Sequence, residues 1–289
     1  MKAIILAGGY GTRLRPLSCV KPKLLFPILG KPILKRNLEV LSKIGVNEVI
    51  LAVNYLAKEL KKEIGKKYAG VTIKYSLEKI ALGTGGALKK AEKLIDETPF
   101  YVLNGDIIFE EKISEILKLH KEKHPIATVA LHEVEDPSRF GVAEFNGKGN
   151  LVRLVEKPKA PPSKYALVGV YFFKPTVFEA IEDLKPSWRG ELEITDALQT
   201  MLEKGFRLGY SFVEGWWLDT GKKDDILHAN SLILDERAER SIKGELVESR
   251  VDGRVSIGLG SRVLNSTVRG PSVIGRNCLV KDSFIGPYT

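Results

Sequence analysis

The segment from Leu6 to Pro16, LAGGYGTRLRP, followed by Lys21-Pro22-Lys23, sets glycines and cations at the end of an apolar run. Glycines there let backbone N–H groups approach an anion, and Arg and Lys beside them offset its charge, so the segment suits phosphate binding. It is not a P-loop, which needs GxxxxGK[ST], and Leu14 stands where a dinucleotide fingerprint has its third glycine. A plain strand-to-loop turn with solvent-facing basic side chains is the competing reading of the glycines alone; Arg13 and Lys23 at this spacing weigh against it. Two acidic residues add to the candidate chemistry. Asp106 ends a buried apolar run, and Asp219 follows Trp216-Trp217 and precedes Thr220-Gly221. Each is placed to offer a carboxylate to a crevice, or else to serve as a turn or helix-cap residue. His120, His124, His132 and His228 share no ligand spacing. Cys19 and Cys278 belong to no CxxC or Cys/His cluster, so neither a zinc site nor a disulfide framework is signalled.

GGYGTRLRP with Lys21-Pro22-Lys23 resembles the signature of the nucleoside-diphosphate-sugar pyrophosphorylases, the sugar-1-phosphate nucleotidylyltransferases. The likeness runs through nearly the whole chain, in order: LGTGGAL at 82–88, LNGD at 103–106, EKP at 156–158, ELEITD at 191–196 and WLDTG at 217–221. It implies an enzyme that joins a nucleoside triphosphate to a hexose 1-phosphate and releases pyrophosphate. By the same resemblance Asp106 and Asp219 are ligands of Mg²⁺, Arg13 grips the triphosphate and Lys23 lies near the α-phosphorus. Leu6, Ala7, Gly8, Gly9, Gly11, Thr12, Glu78, Gly83 and Thr84 match nucleotide-binding positions, and Gly141, Glu156, Lys157, Val168 and Gly169 match sugar-phosphate positions. The physical chemistry agrees. Two anionic phosphates must be brought together, so cations must offset their repulsion. The phosphate oxygen of the sugar is already anionic at neutral pH and needs no protein base or nucleophile.

The two halves of the chain point to different substrates. Residues 165–173, 191–196 and the tail at 266–275 and 283–289 look most like long-form glucose-1-phosphate thymidylyltransferases. Glu78 followed by LGTGGAL, with much of residues 1–65, resembles the mannose-1-phosphate guanylyltransferases instead. A carboxylate suits guanine, whose N1 and N2 both donate, better than thymine with its single N3 donor. Glu78 fits a solvent-facing residue ahead of the loop equally well.

The elements that must position these residues are legible from periodicity. Residues 2–7, 49–53, 71–75 and 100–103 read as strands, and apolar residues at helical spacing mark helices around 33–44, 56–64 and 87–95. Strands alternating with helices at close spacing predict an α/β fold: a Rossmann-like mixed, mainly parallel sheet flanked by helices. The loops after Ala7, Tyr75 and Leu103 should then face one crevice at the carboxyl ends of the strands. Past Asp106 come a helix at 113–119 and strands at 127–132, 142–145, 151–156 and 166–173, the pattern of an inserted antiparallel region. The turn Asn146-Gly147-Lys148-Gly149-Asn150 joins two of these strands, and helices follow at 197–202 and 224–234. From about Val251, Ile-Gly pairs at 257, 274 and 285 with valines between them give a roughly six-residue period, which predicts a short left-handed parallel β-helix. The expected division is a catalytic domain over 1–235 and a linker with partial β-helix over 236–289. The open edge of the last coil is expected to be covered by a second copy in a homo-oligomer, or to belong to a longer parent.

Charge bounds the partners. Residues 1–100 hold 19 basic and 8 acidic side chains out of 45 and 36 in the whole 289-residue chain, so the net +9 comes from the N-terminal third. Few aromatics are interleaved with those cations, which argues against nucleic acid. No apolar run approaches the ~20 residues needed to span a bilayer, and the cysteine usage fits a reducing cytoplasm. The missing third glycine disfavours a nicotinamide oxidoreductase. A catalytically silent nucleotide-sugar-binding relative is a further alternative, but it would have no physical need to keep Arg13, Lys23, Asp106 and Asp219 together.

Overall fold

The computed structural model describes residues 1–109 and 113–289. Its first half alternates β1 (Lys2–Ala7), α1 (Ile33–Lys43), β2 (Glu48–Val53), α2 (Ala57–Ile64), β3 (Val71–Leu77), α3 (Gly83–Ala91) and β4 (Phe100–Asn104). Then follow β5 (Ile107–Phe109), α4 (Ser114–Lys123), β6 (Ala127–Glu133), β7 (Gly141–Phe145), β8 (Leu151–Glu156) and β9 (Tyr165–Phe173). Helices α5 (Val177–Glu182) and α6 (Ile194–Glu203), strands β10 (Leu208–Phe212) and β11 (Trp217–Asp219), and α7 (Lys223–Arg237) complete this part.

β1 pairs in parallel with β2 and β4, and β2 with β3, so the carboxyl ends of all four strands lie on one side. Ala7 stands opposite Val53, Val53 opposite Leu77, and Leu6 opposite Asn104, which is the common crevice expected from the alternation. β9 then joins the sheet antiparallel to β4, β6 and β7, making the whole a mixed sheet. Past Lys2, β1 is apolar because both faces of the sheet are covered. Ile5, Tyr101 and Leu103 pack with α1, α2 and α4, whereas Ile4, Phe100 and Val102 pack with α3, α5 and α6.

Local sequence explains most boundaries. α1 turns Leu34, Leu38 and Leu41 inward and stops before Gly45, whose φ is 86°. α3 begins at Gly83, four residues ahead of the helix expected at 87–95. Its first turn is held from a distance: Leu192 N–H donates to Leu82 O (2.8 Å) and Gly85 N–H to Leu192 O (2.7 Å). β10 and β11 were not anticipated. Each is short, and each is stabilised by a partner far off in sequence, β10 by β6 and β11 by β5. Among the described residues no helix is long and apolar enough to cross a membrane.

The chain divides into two compact units, Met1–Phe26 with Ile33–Asp219, and Pro27–Pro32 with Thr220–Thr289. In the second, Asn230 of α7 accepts from Leu29 N–H at 2.7 Å, tying the 27–32 hairpin to that helix. Three parallel three-stranded sheets then form a β-helix, in agreement with the expected period. Glu245 pairs with Arg262 and Arg262 with Leu279, so a coil takes 17 residues, slightly under six per side. Val255, Ile257, Val263, Val268 and Ile274 fill it. The first rung begins at Ser241, ten residues before the expected start at Val251. That rung exposes Ile242, Leu246 and Val247, so its apolar pattern is weak.

Candidate active site

The glycine loop runs from β1 directly into the crevice. Leu6 O accepts from Gly105 N–H (3.0 Å), which laces the end of β1 to the turn carrying Asp106. Gly11 takes a left-handed φ of 61°, and Ser18 Oγ donates to its carbonyl at 2.6 Å, fixing the turn in which Thr12 and Arg13 stand exposed. Lys23 reaches back along this loop. Its ammonium lies 3.3 Å from where a Cβ on Gly9 would be, and it hydrogen-bonds and ion-pairs with Asp106 Oδ2. Burial alone would push the Asp106 carboxyl up; the Lys23 charge and hydrogen bond, with help from the nearby Arg13 charge, hold it below the ordinary carboxylate value. Three of the sequence-predicted charges are thus electrically coupled.

Asp219 joins them through the β5–β11 ribbon. It pairs with Ile107, next in sequence to Asp106, so the two aspartates occupy the same end of two antiparallel strands. The turn itself is clamped by Asn37, a buried residue of α1 whose Nδ2 donates to the carbonyls of Gly105 and Ile107, both at 3.1 Å. Those carbonyls bracket Asp106.

Glu78, just past β3, is only 6 % exposed, which removes the solvent-facing reading. Its Oε1 accepts from Leu82 N–H at 3.3 Å and its Oε2 lies against Gly8. Burial pushes its carboxyl up, and the Leu82 N–H, the Asn54 amide and the Lys90 charge pull in the other direction. Gly83 and Thr84 open α3 beside it. The Thr84 hydroxyl is occupied: it accepts from Ile194 N–H (3.0 Å) and donates to Glu193 Oε2 (3.3 Å), joining α3 to α6.

A second polar group forms around Glu156, at the end of β8. Thr195 Oγ1 donates to Glu156 Oε2 at 2.7 Å, and Lys157 Nζ stands 3.3 Å from Oε1. Gly141 pairs with Glu156 across β7 and β8; a Cβ there would meet Thr195 Oγ1 at 2.7 Å and Leu167 Cδ1 at 2.8 Å, so only glycine fits. Arg189 ion-pairs with Glu193 (2.9 Å) and lies 3.9 Å from Glu156. Burial and the neighbouring Glu156 push the Glu193 carboxyl up, and Arg189 opposes them. Val168 and Gly169 sit where β9 slips its register against β6, between Leu167 and Tyr171. Trp217 fixes that irregularity, its indole N–H donating to Val168 O at 2.9 Å.

Asn37, Thr195, Arg189 and Glu193 carry geometry that the sequence reading did not assign. Asn37 had a signal: it is the polar residue at an inward-facing position among Leu34, Leu38 and Leu41. Glu193 and Thr195 lay inside the quoted ELEITD segment, but which partners they meet is decided by folding.

The arrangement offers cations over a glycine loop, two carboxylates at one ribbon end and a separate polar cluster around Glu156, all on the carboxyl side of the sheet. The comparisons with known proteins agree with it. The profile of the nucleotidyl transferase family matches residues 2–236. The chain is 40% identical to a glucose-1-phosphate thymidylyltransferase of Streptomyces antibioticus over 100% of its own length and 82% of that protein. It is 37% identical to the mannose-1-phosphate guanylyltransferase catalytic subunit beta of Dictyostelium discoideum, over 89% of this chain and 70% of that one. Among solved structures, a Bacillus anthracis protein described as a glucose-1-phosphate thymidylyltransferase, crystallised with a sucrose, superposes with a TM-score of 0.74 at 34% identity. That match covers 80% of this chain and 94% of the other. Enzymes of this family generally use a divalent metal ion. With the family profile spanning the glycine loop, both aspartates and the Glu156 cluster, the chain belongs to the nucleotidyl transferase family and is a sugar-1-phosphate nucleotidylyltransferase.

Proposed function

We propose that the enzyme makes dTDP-glucose and pyrophosphate from dTTP and glucose 1-phosphate. The observation that carries this reading is the likeness to a thymidylyltransferase along the whole chain, β-helix included. The nucleotide lies along Leu6, Ala7, Gly8, Gly9, Gly11 and Thr12, with its base toward Glu78, Gly83 and Thr84. The sugar phosphate occupies the recess of Gly141, Glu156, Lys157, Val168 and Gly169.

Two carboxylates at one end of the β5–β11 ribbon suit an ion that takes oxygen ligands and keeps places for water and phosphate. Asp106 and Asp219 would hold Mg²⁺, which supplies charge neutralisation on the reacting phosphates. Lys23, held beside Gly9, meets the α-phosphate. Lys157 draws the sugar phosphate in, and its oxygen forms the new bond to the α-phosphorus while the bond to the β-phosphate oxygen breaks. Arg13 stabilises the departing pyrophosphate. The catalytic part is residues 1–235, consistent with the family profile ending at 236, and 236–289 are linker and left-handed β-helix. The unpaired Cys19 and Cys278 suit a cytoplasmic setting. The exposed Leu279 and Phe284 in the last rung suit assembly with further copies of the chain.

A second reading, GDP-mannose synthesis from GTP and mannose 1-phosphate, is favoured by one observation, the buried carboxylate of Glu78 beside Gly8. One experiment separates them: Mg²⁺, five nucleoside triphosphates and glucose or mannose 1-phosphate, with pyrophosphate release measured. Preference for dTTP with glucose 1-phosphate supports the first reading and GTP with mannose 1-phosphate the second. No release from any pair overturns both and favours a silent relative.

A further inference from the structure

Glu193 is buried, only 2 % exposed, and its two carboxylate oxygens face different parts of the crevice. Oε2 accepts from the Thr84 hydroxyl (3.3 Å) in the first turn of α3, and Oε1 accepts from the Arg189 guanidinium at 2.9 Å. The same guanidinium nitrogen lies 3.9 Å from Glu156 Oε1, so one cation is shared between Glu193 and the Glu156 cluster. The backbone makes the same connection. Leu192 N–H donates to Leu82 O and its carbonyl accepts from Gly85 N–H, Ile194 N–H donates to Thr84 Oγ1, and Thr195 Oγ1 donates to Glu156. Gly83, with φ 87°, presses on this segment so closely that a Cβ would stand 2.7 Å from Leu192 O. Residues 189–195 are therefore strapped to the start of α3 on one side and to Glu156 on the other.

Apolar burial does little to fix the neighbouring turns: Ile80 and Leu82 ahead of α3, and Trp188 ahead of the strap, are exposed. Their position rests on polar bonds, and segments held in that way lie at the low-stability end of a fold. A ligand that orders Gly83 and Thr84 orders Glu193 and Arg189 with them, and a second ligand at Glu156 does not meet that cost again. Released from Glu193, Arg189 would close on Glu156 and compete for its carboxylate.

We infer that Glu193 is a positioning residue that couples the two substrate sites: it holds Arg189 off Glu156 when nucleotide lies against Gly83 and Thr84, so that each substrate tightens the binding of the other. This rests on reading Glu78, Gly83 and Thr84 as the base side and the Glu156 cluster as the sugar side. The factor is the same in both directions, because linkage is reciprocal.

The test is isothermal titration calorimetry with Mg²⁺, reading the Kd of the hexose 1-phosphate with and without a saturating α,β-methylene nucleoside triphosphate, whose α–β bridge is carbon and cannot release pyrophosphate. The probes are the thymidine analogue with glucose 1-phosphate and the guanosine analogue with mannose 1-phosphate. In wild type the analogue is expected to tighten hexose 1-phosphate binding at least tenfold for one pair. Glu193→Gln keeps the shape and loses the charge; it should cut that factor at least threefold and weaken hexose 1-phosphate binding in the absence of nucleotide. Arg189→Gln should cut the factor equally without that weakening, since the competing cation is gone. Arg189 lies at the surface, so its variant decides the question if Glu193→Gln fails to fold. A smaller cut in either variant, the same weakening in both, or a wild type that binds both ligands without coupling overturns the link alone. If wild type binds neither hexose 1-phosphate, the sugar-side reading falls and takes the link with it.

Discussion

Lys23 and Asp106, 83 residues apart in the chain, form an ion pair beside the glycine loop. The pair holds the lysine where a phosphate would lie along Gly9, and Arg13 adds its charge to the same carboxylate. Lys23→Met keeps the side-chain stem and removes the cation. Pyrophosphate release should fall about 10²- to 10³-fold, the usual loss on deleting one stabilising donor. Arg13→Ala and Asp219→Ala should reduce it to background with the far-UV circular dichroism of wild type. More than a tenth of wild-type rate in any of the three would refute its role.

Asn37 clamps the Asp106 turn from inside the core. Asn37→Leu leaves the carbonyls of Gly105 and Ile107 without their donor. Urea denaturation should show a loss of about 2 kcal/mol or more, since each orphaned buried acceptor costs about 1–3 kcal/mol. An unchanged midpoint would mean that the turn holds itself.

Gly141 makes room for the Thr195–Glu156 hydrogen bond. Gly141→Ala puts a methyl 2.7 Å from Thr195 Oγ1, forcing that hydroxyl off Glu156. KM for the hexose 1-phosphate should rise about tenfold, equivalent to about 1.4 kcal/mol, with KM for the nucleotide unchanged. Equal effects on both substrates would place Gly141 outside the sugar recess.

Glu78→Gln replaces a pure acceptor with a group that also donates. The ratio of kcat/KM for dTTP to that for GTP should rise about tenfold, about 1.4 kcal/mol and within the range of one hydrogen bond to a charged group. A constant ratio across wild type and variant would show that the base is read elsewhere.

His120 predicts a pH dependence of stability unrelated to catalysis. Its Nδ1 lies 2.9 Å from Thr128 Oγ1, and its ring stands edge-on to Phe172 at 4.7 Å. Burial, with the charges of Lys174 and His124, lowers its pKa from 6.5 to about 4. Between those values the unfolded chain binds the extra proton and the native one does not, so stability falls as pH drops from 6.5 toward 4. Full expression of that shift is about 3 kcal/mol. His120→Gln should flatten this part of the stability profile in denaturation at pH 4.5, 5.5 and 7. A variant that loses stability as steeply as wild type would assign the dependence to other groups.

The outcome at Glu78 shows where one-dimensional reading stops. Its residue type suggested a base reader, and its position ahead of a loop suggested a solvent-facing side chain. Nothing local could choose between them. Burial beneath Gly8 and Leu82 is a property of β1, β3 and α3 brought together. β10 and β11 carry no local strand pattern for a related reason: three to five residues of ordinary polarity become strands only because β6 and β5 present free edges to them.

Taken by itself, the sequence determined what periodicity and residue type can encode. It specified the alternation of β1 to β4 with their helices, the 17-residue coils seen as a near-six-residue rhythm, and the chemical identities of Arg13, Lys23, Asp106 and Asp219. These follow from local burial and from charge, which each residue carries wherever it is placed. Only the tertiary structure decided which of them meet. Lys23 finds Asp106, Asp219 lines up with Ile107, Asn37 grips the turn between them, and Thr195 holds Glu156. Such pairings span tens of residues, and their geometry is set by sheet order and register, which no local pattern specifies.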